Sequence, residues 1–211
     1  MNGPAPRVFV VDDDDSVRRA MGRLIRSAGY EVDLFGSASE FLDNASLAAC
    51  PACLVLDVQL PDLSGLELQR KLNARLPIIF ITGHGDIEMT VGAMKAGATD
   101  FFPKPVNGAD LLRAVAQALD GAIRTQETRT ELDAIRANLD RLTPREREVM
   151  VLVVRGLMNK QVASELGIAE KTIKTHRARV MEKMDVTSLA GLVHAADKLG
   201  LSAPIDRASH C

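Results

Sequence analysis

Four consecutive aspartates, Asp12 to Asp15, follow directly on an apolar run at residues 8–11 and precede a helix-like pattern. Acidic runs are usually solvated, and one member can cap the helix that follows. The alternative is that part of this run binds a cation, because clustered carboxylates repel each other unless positive charge lies between them. The four residues alone do not decide between a solvated cap and a cation site.

Three further side chains that can do chemistry occur at the ends of other apolar runs. Asp57 closes "LVLD", Thr82 closes "IIFIT" and Lys104 lies in "FFPKP". A carboxylate can act as a nucleophile or a metal ligand, whereas a hydroxyl and an ammonium can both bind an anion. Taken singly, Thr82 could bond local backbone and Lys104 could be a surface lysine, so their meaning depends on whether the fold brings them together.

Strand-like and helix-like patterns alternate through about the first 120 residues. The predicted strands cover residues 8–11, 31–35, 53–58, 77–83 and 100–105. Continuously apolar strands that alternate with helices indicate a parallel sheet covered on both faces. Binding sites in such sheets form at the carboxyl ends of the strands. The pattern therefore predicts that Asp12, Asp13, Asp57, Thr82 and Lys104 converge on one edge, with a cation between the acids and an anion beside it.

Composition limits the class of protein. The chain has 211 residues, of which 46% are hydrophobic and 26% charged, as is ordinary for a globular protein in water. Its longest apolar run, residues 149–154, is far shorter than the ~18 residues of a membrane span, and no export signal is evident. We therefore expect a cytoplasmic protein without membrane contact. Cys50 and Cys53 have redox or half-zinc spacing, but no second pair completes a site, and packing is the favoured interpretation.

Charge divides the chain into two parts. Residues 1–140 contain 14 Lys and Arg against 20 Asp and Glu, a net charge of −6. Residues 141–211 contain 12 against 8, a net charge of +4. An acidic first part and a basic second part indicate two domains with different partners.

The basic part contains the pattern of a helix-turn-helix. Thr143, Pro144 and Glu146 predict a capped helix start. A short helix at 159–166 then runs into Gly167, which can adopt the left-handed conformation that reverses the chain, and a second helix starts at about residue 170.

The second of these helices has a buried stripe and a basic face. Ile173, Val180 and Met184 form the apolar stripe. Long basic side chains with small side chains between them suit the major groove of DNA. The alternative is an ordinary amphipathic helix with a solvated basic face. Lys174 and Thr175 are the expected base readers. The full set of expected DNA contacts comprises Lys160, Lys171, Thr172, Lys174, Thr175, Arg177, Ala178 and Arg179, of which Lys160, Lys171 and Arg177 are expected at phosphates.

Residues 7–120 resemble the receiver domain of two-component response regulators. The resemblance rests on "VVDDDDSVR", "LVLDVQLPDLSGLEL", "IIFITGHGD" and "AMKAGATDFFPKP". It implies a five-stranded parallel, flavodoxin-like (βα)5 fold in which Asp57 accepts a phosphoryl group from a sensor histidine kinase. It also implies that Mg²⁺ is bound by Asp13, Asp57 and the backbone carbonyl of Gln59, with Asp12 holding a coordinated water.

The same resemblance assigns three more residues. It implies that Lys104 pairs with a phosphoryl oxygen and that Thr82 hydrogen-bonds another. Phe101 occupies the switch position, where the family has Tyr or Phe. Because Phe lacks a hydroxyl, we expect its ring to lie inward even without phosphate.

Residues 142–199 resemble the LuxR-type helix-turn-helix domain, through "LTPREREVMVLVVRGLMNKQVASELGIAEKTIKTHRARVMEKM". The whole chain thus resembles the FixJ/StyR (NarL/LuxR-type) response regulators, which implies double-stranded DNA and RNA polymerase as partners. Ala169 departs from the family, which usually has a Ser or Thr cap at that position. Loss of such a cap costs about 1 kcal/mol, which Glu170 at the helix start partly offsets.

These observations predict a receiver domain at 1–121, a helical linker at 122–141, an all-α helix-turn-helix domain at 142–201 and a flexible tail at 202–211. The predicted function is a transcription regulator that binds DNA under the control of phosphorylation. Phosphorylation is expected to promote a homodimer through the surface formed by the fourth helix, the fifth strand and the fifth helix. The residues expected there are Met89, Ala93, Lys95, Arg113 and Asp120. The last helix, through Leu189, Leu192, Val193 and Ala196, could serve dimerisation or core packing.

Two other functions are alternatives to this one. Phosphatases with an aspartate nucleophile typically need a second Asp two residues later, and Gln59 stands there, so no enzyme activity beyond self-phosphorylation and self-dephosphorylation is expected. A receiver with a protein- or RNA-binding output is the other alternative, and the helix-turn-helix spacing argues against it.

Overall fold

The computed structural model describes residues 5–47, 50–73, 76–83 and 87–201. The chain divides into two compact units, with the division between Glu127 and Thr128. His84 and the predicted tail at 202–211 lie outside the described residues. Among the residues described, no helix is both long enough and apolar enough to span a membrane.

The first unit is built on a five-stranded parallel sheet with the strand order β2-β1-β3-β4-β5. Its strands are β1 (Arg7–Val11), β2 (Glu31–Phe35), β3 (Ala52–Asp57), β4 (Ile78–Thr82) and β5 (Asp100–Pro103). The helices are α1 (Asp15–Ser27), α2 (Ala38–Asn44), α3 (Gly65–Leu72), α4 (Ile87–Lys95) and the first part of α5 (Gly108–Asp140). The predicted alternation of strands and helices and the parallel sheet are confirmed.

The central strands β1, β3 and β4 are apolar along most of their length because both faces of the sheet are covered, and their polar residues, Arg7, Asp57 and Thr82, lie at strand ends. Phe9, Leu56 and Phe80 lie in the core on one face. Val10 and Ile79 lie in the core on the other, against α1 and the first part of α5. Continuous apolar runs, rather than alternating ones, are the expected sequence pattern for strands buried on both sides.

The second unit is helical. It consists of the end of α5 followed by α6 (Pro144–Val154), α7 (Asn159–Leu166), α8 (Glu170–Lys183) and α9 (Leu189–Lys198). Ile173, Val180 and Met184 are buried as the sequence predicts, and Gly167 is left-handed with φ of 65°. This left-handed residue lets the chain reverse between α7 and α8 without the steric penalty that a Cβ would bring.

One member of the predicted dimer surface is corrected by the structure, whereas Lys95, Arg113 and Asp120 are exposed as expected. The sequence predicts Ala93 on an exposed face of α4, but the residue is completely buried in the core, and Met89 packs against the same core. The apolar residues that α4 exposes are Ile87, Val91 and Met94. Their spacing of four and three positions places them on one side of the helix, away from Ala93.

The last helix, α9, serves core packing with part of its predicted set. Leu192 and Ala196 are buried in the core of the second unit. Leu189, at the start of the helix, is exposed.

Candidate functional site

Four strands deliver polar side chains to the same edge of the sheet. Asp12 directly follows β1, Asp57 ends β3, Thr82 ends β4, and Lys104 directly follows β5. Because β1, β3, β4 and β5 are parallel neighbours, their carboxyl ends lie side by side. This edge therefore holds Asp12, Asp57, Thr82 and Lys104, as the strand pattern of the sequence predicts.

Lys104 connects the acids of this edge. Its Nζ lies 2.5 Å from Asp57 Oδ2 and 2.7 Å from Asp12 Oδ2. Burial is the largest single effect on Lys104 and lowers its pKa, but the bonds to the two carboxylates together outweigh it and the pKa is raised. Lys104 is therefore a protonated, charged partner of both acids.

Asp12, Asp13 and Asp57 form a cluster of possible cation ligands. Each offers a carboxylate oxygen, and these oxygens lie within 4.8 Å of one another. Asp12 is completely buried, and burial raises its pKa above the ordinary value, although Lys104 acts in the opposite direction. A hard divalent cation fits such a set, because all donors are oxygens and its charge would favour the ionised form of a buried acid.

The rest of the aspartate run has a structural role. Asp14 is the N-cap of α1, and its Oδ1 accepts hydrogen bonds from the backbone N–H groups of Ser16 at 2.8 Å and Val17 at 3.2 Å. Asp15, in the first turn, pairs with Arg18 and Arg19. The capping interpretation is thus right for Asp14.

The loop after β3 is held close to Asp57. Asp57 Oδ1 accepts a hydrogen bond from the backbone N–H of Gln59 at 3.0 Å. A Cβ at Gly65 would lie 2.5 Å from the backbone oxygen of Asp57, so a side chain there would force the backbone apart. Ser64 and Glu67 form a capping box that starts α3 immediately behind this contact.

Asp62 in the same loop has a role that the sequence pattern does not indicate. Its carboxylate accepts hydrogen bonds from the backbone N–H groups of Ala38 at 3.3 Å and Ser39 at 2.8 Å, at the start of α2. Hydrogen bonding by Ser39 is the main cause that lowers the pKa of Asp62 to about 2. A contact between residues more than twenty positions apart leaves no local pattern that could have pointed to it.

Thr82 and Phe101 belong to the paired strands β4 and β5. Thr82 is completely buried, and its backbone oxygen accepts a hydrogen bond from the N–H of Lys104 at 2.7 Å. The ring of Phe101 is half-buried, packs against the core, and lies 6.2 Å from the ring of Phe80 between centroids. The structure thus places Phe101 beside Phe80, and its role as the switch residue stays a prediction.

The second unit presents the predicted basic face on α8. The exposed members of the predicted DNA-contacting set are Lys160, Lys171, Thr172, Lys174, Thr175, Ala178 and Arg179. Arg177 is instead half-buried, and its Nη1 donates a hydrogen bond to Oδ1 of Asn159 at 3.1 Å. At the start of α8, Ala169 makes no side-chain cap bond, as the sequence predicts.

A buried carboxylate joins two helices of the second unit. Glu146 completes the capping box of α6 by accepting from the backbone N–H of Thr143, and it also accepts from Nζ of Lys183 at 2.6 Å. The bond to Lys183 is the main cause that lowers the pKa of Glu146 to about 2. The sequence predicts the capping box. It does not predict the ion pair of Glu146 with Lys183, because the two residues are 37 positions apart.

Comparison with known families accounts for both units. Residues 8–116 match the model of the response regulator receiver domain, and residues 140–196 match that of the bacterial regulatory proteins of the luxR family. Nodulation protein W of Bradyrhizobium diazoefficiens is 51% identical over 199 residues, which cover 93% of this chain and 87% of that protein. Response regulator protein TmoT of Ectopseudomonas mendocina is 45% identical over 202 residues, which cover 94% and 91%.

Solved structures give the same result. The response regulator StyR matches with a TM-score of 0.86 and 50% identity, covering 92% of this chain and 99% of that one. Full-length FixJ from B. japonicum matches with a TM-score of 0.55 and 38% identity over 96% of this chain and 100% of that one. The chain therefore belongs to the transcriptional response regulators of two-component systems, which combine a receiver domain with a LuxR-type DNA-binding domain.

Proposed function

We propose that Asp57 is the phosphoryl acceptor of the receiver and that its phosphorylation controls DNA binding by the second unit. The observation that carries this proposal is the contact of Lys104 with both Asp57 and Asp12 at the carboxyl ends of neighbouring strands. The proposed receiver spans residues 1–121, and the proposed DNA-binding domain spans 142–201. We infer no activity on other substrates, so the only chemistry is the formation and loss of the protein's own phosphate.

The chemical step is an in-line displacement at phosphorus. A carboxylate oxygen of Asp57 attacks the phosphorus of a phosphohistidine on the sensor kinase, the phosphorus–nitrogen bond breaks, and its electron pair stays on the imidazole. Catalysis of such a step depends mainly on positioning and on neutralising negative charge. Lys104, already charged and within hydrogen-bond distance of Asp57, supplies one positive group for the incoming oxygens.

Mg²⁺ is the cation that this set of residues would hold. Asp13, Asp57 and the backbone carbonyl of Gln59 are the proposed ligands, with Asp12 acting through a water. When bound, Mg²⁺ would neutralise charge between the carboxylates and the phosphoryl oxygens. The oxygen-only donor set of Asp12, Asp13 and Asp57 supports this choice.

Once the phosphoryl group is attached, Thr82 and Lys104 are proposed to bind its oxygens. A phosphoryl group adds about −1.5 to −2 charges and three strong acceptors. Thr82 ends β4 before α4, and Phe101 packs beside Phe80 of the same strand. A shift of Thr82 toward the phosphate would therefore change the surface formed by α4 and β5, with Phe101 as the switch residue.

We propose that this surface forms a homodimer when the protein is phosphorylated. Ile87, Val91 and Met94 on α4 offer an exposed apolar stripe on the receiver. A two-fold dimer would present two copies of α8 to two half-sites about one helical turn of DNA apart. Lys174 and Thr175 would read bases, while Lys160, Lys171 and Arg177 would contact phosphates. RNA polymerase is the proposed partner of the DNA-bound dimer.

The proposal is tested by treating the full chain with a small phosphodonor and Mg²⁺ and measuring its intact mass. The wild type should gain one labile phosphate, and Asp57→Asn should gain none. Asp14→Asn is the matched control, since Asp14 is an exposed acid in the same loop region with a capping role. Equal labelling of Asp57→Asn at another residue would contradict the assignment of Asp57.

A further inference from the structure

Arg18 on α1 contacts the backbone of the aspartate run. Its Nη1 donates to the carbonyl oxygen of Asp12 at 2.6 Å and to that of Asp13 at 3.3 Å. Its Nη2 donates to Oδ1 of Asp15 at 2.7 Å. A single guanidinium therefore bonds three of the four consecutive aspartates, two of them through the main chain.

The neighbouring Arg19 provides a comparison within the same helix. The side chain of Arg18 is 17% exposed, whereas that of Arg19 is 66% exposed. Within the described part of the chain, Arg19 makes a hydrogen bond and an ion pair to the carboxylate of Asp15. The two arginines thus carry the same charge close to the same loop, but only Arg18 bonds the carbonyls of the two residues whose side chains belong to the acidic cluster.

The two bonds to carbonyl oxygens have a consequence for the side chains. Asp12 and Asp13 are consecutive in sequence, and their carboxylates lie close to that of Asp57. The three carboxylates repel one another, which favours opening of the loop that follows β1. A planar guanidinium can bond two acceptors at once and is well suited to hold successive carbonyls in fixed directions. Fixing these carbonyls fixes the backbone from which both carboxylates project.

We propose that Arg18 is a positioning residue for the cation site, which holds Asp12 and Asp13 so that their oxygens face Asp57. The proposal rests on the proposed function, because it takes the cluster to be the Mg²⁺ site. Arg18 should increase the affinity for Mg²⁺, although its positive charge alone would lower that affinity. Groups that orient metal ligands typically change metal affinity by about 10- to 100-fold when they are removed.

The test is isothermal titration of the full chain with MgCl2 at low ionic strength, on the wild type, Arg18→Gln, Arg18→Lys and Arg19→Gln. Arg19→Gln removes the same charge without touching the carbonyls, so it measures the effect of charge alone and should leave affinity unchanged or slightly higher. Arg18→Gln should weaken affinity about 10-fold. Arg18→Lys keeps the charge but not the planar fork, so its affinity should lie between those of Arg18→Gln and the wild type.

A second measurement separates positioning from a loss of stability. The initial rate of phosphorylation by a small phosphodonor is followed against Mg²⁺ concentration. For Arg18→Gln, the half-saturating Mg²⁺ concentration should rise about 10-fold, while the rate at saturating Mg²⁺ stays near that of the wild type. If Arg18→Gln does not fold, Arg18→Lys carries the same comparison.

Two results overturn different claims. If Arg18→Gln or Arg18→Lys binds Mg²⁺ as tightly as Arg19→Gln, Arg18 contributes charge alone and the positioning role is wrong. If the wild type itself binds no Mg²⁺, the proposed cation site is wrong, and this result refutes that part of the proposed function rather than the role of Arg18 alone. Weaker binding by both Arg18 variants, with unchanged binding by Arg19→Gln, supports the inference.

Discussion

Lys104 Nζ lies 2.5 Å from Asp57 Oδ2, so the phosphoryl acceptor that we propose is already paired with a cation before any phosphate arrives. The same ammonium bonds Asp12, which is completely buried. An ammonium shared by two acids offsets part of their mutual repulsion, and it is in place to bind an additional oxygen at Asp57.

We expect Lys104→Met to destabilise the protein at neutral pH by about 3 kcal/mol, since it leaves buried carboxylates without their partner. Burial already raises the pKa of Asp12, and losing Lys104 removes an effect that lowers it. A raised folded-state pKa means that the folded protein binds more protons than the unfolded one in this range. The stability of Lys104→Met should therefore increase as the pH falls from 7 toward 5.

Urea unfolding of Lys104→Met at pH 7 and pH 5, without Mg²⁺, measures this effect. Lys95→Met is the control, because Lys95 is an exposed lysine of the same unit. If the free energy of unfolding of Lys104→Met changes between pH 7 and pH 5 in the same way as that of the wild type, Lys104 is not the partner of buried acids.

Asp13→Ala should abolish Mg²⁺ binding and phosphorylation without unfolding the protein. Removing one of three clustered carboxylates eases their repulsion, so we expect equal or slightly higher stability in the absence of metal. Asp14→Ala, which removes a helix cap, should instead cost about 1 kcal/mol and leave Mg²⁺ binding intact. Calorimetric titration with MgCl2 and urea unfolding measure both effects, and unchanged Mg²⁺ affinity in Asp13→Ala would refute the assignment.

The positions of the candidate site residues could be predicted from the sequence because each one lies at, or just after, the carboxyl end of a largely apolar strand. Asp57, Thr82 and Lys104 needed only the rule that parallel strands end at a common edge. Contacts such as those of Asp62 with the start of α2, or of Lys183 with Glu146, join distant parts of the chain through side-chain length and direction. Periodicity carries no information about such contacts.

The error at Ala93 has a different cause. The fourth helix is apolar on two sides: Met89 and Ala93 face the core, whereas Ile87 and Val91 face outward. An amphipathic pattern can indicate the buried side of a helix only when the other side is polar. With apolar residues on both sides, the sequence did not distinguish the core from the exposed surface.

The pair of Glu146 and Lys183 should show an asymmetric response to mutation. Glu146 is 2% exposed and Lys183 is 28% exposed. Lys183→Met leaves a buried carboxylate without its cation and should cost about 3 kcal/mol. Glu146→Gln leaves a lysine that can still reach water and should cost only about 1–2 kcal/mol. Urea unfolding measures both, and an equal or reversed order would contradict this account.

The pH dependence of that pair follows from the pKa of Glu146, which is lowered from 4.5 to about 2. The unfolded protein then binds more protons than the folded one between these values. The contribution of the pair is therefore fully present above about pH 5 and is lost as the pH falls toward 2. Lys183→Met should lose less stability than the wild type over this range, as followed by circular dichroism of the helices.

Lys174 and Lys171 should differ in how they affect DNA binding. Lys174→Ala should cost about 1–3 kcal/mol on the operator and relax the preference at one base position. Lys171→Ala should weaken specific and random DNA alike and reduce the salt slope by about one unit. Fluorescence anisotropy on both duplexes at several salt concentrations separates these cases. Equal losses on operator and random DNA for Lys174→Ala would contradict its role as a base reader.

The proposed dimer can be tested at Val91, which lies at the centre of the exposed stripe on α4 and is 44% exposed. In a two-fold contact each substitution acts twice, so Val91→Asp should weaken the phosphorylated dimer by about 2–4 kcal/mol through burial of charge. Leu42→Asp on α2, at an equally exposed apolar position of 42%, is the matched control and should leave dimerisation unchanged. Light scattering should find the wild type monomeric without phosphate and dimeric with it, and Val91→Asp monomeric in both states while its phosphorylation proceeds normally. A protein that is equally dimeric with and without phosphate, or a Val91→Asp variant that dimerises like Leu42→Asp, would show that this surface of α4 is not the one that phosphorylation controls.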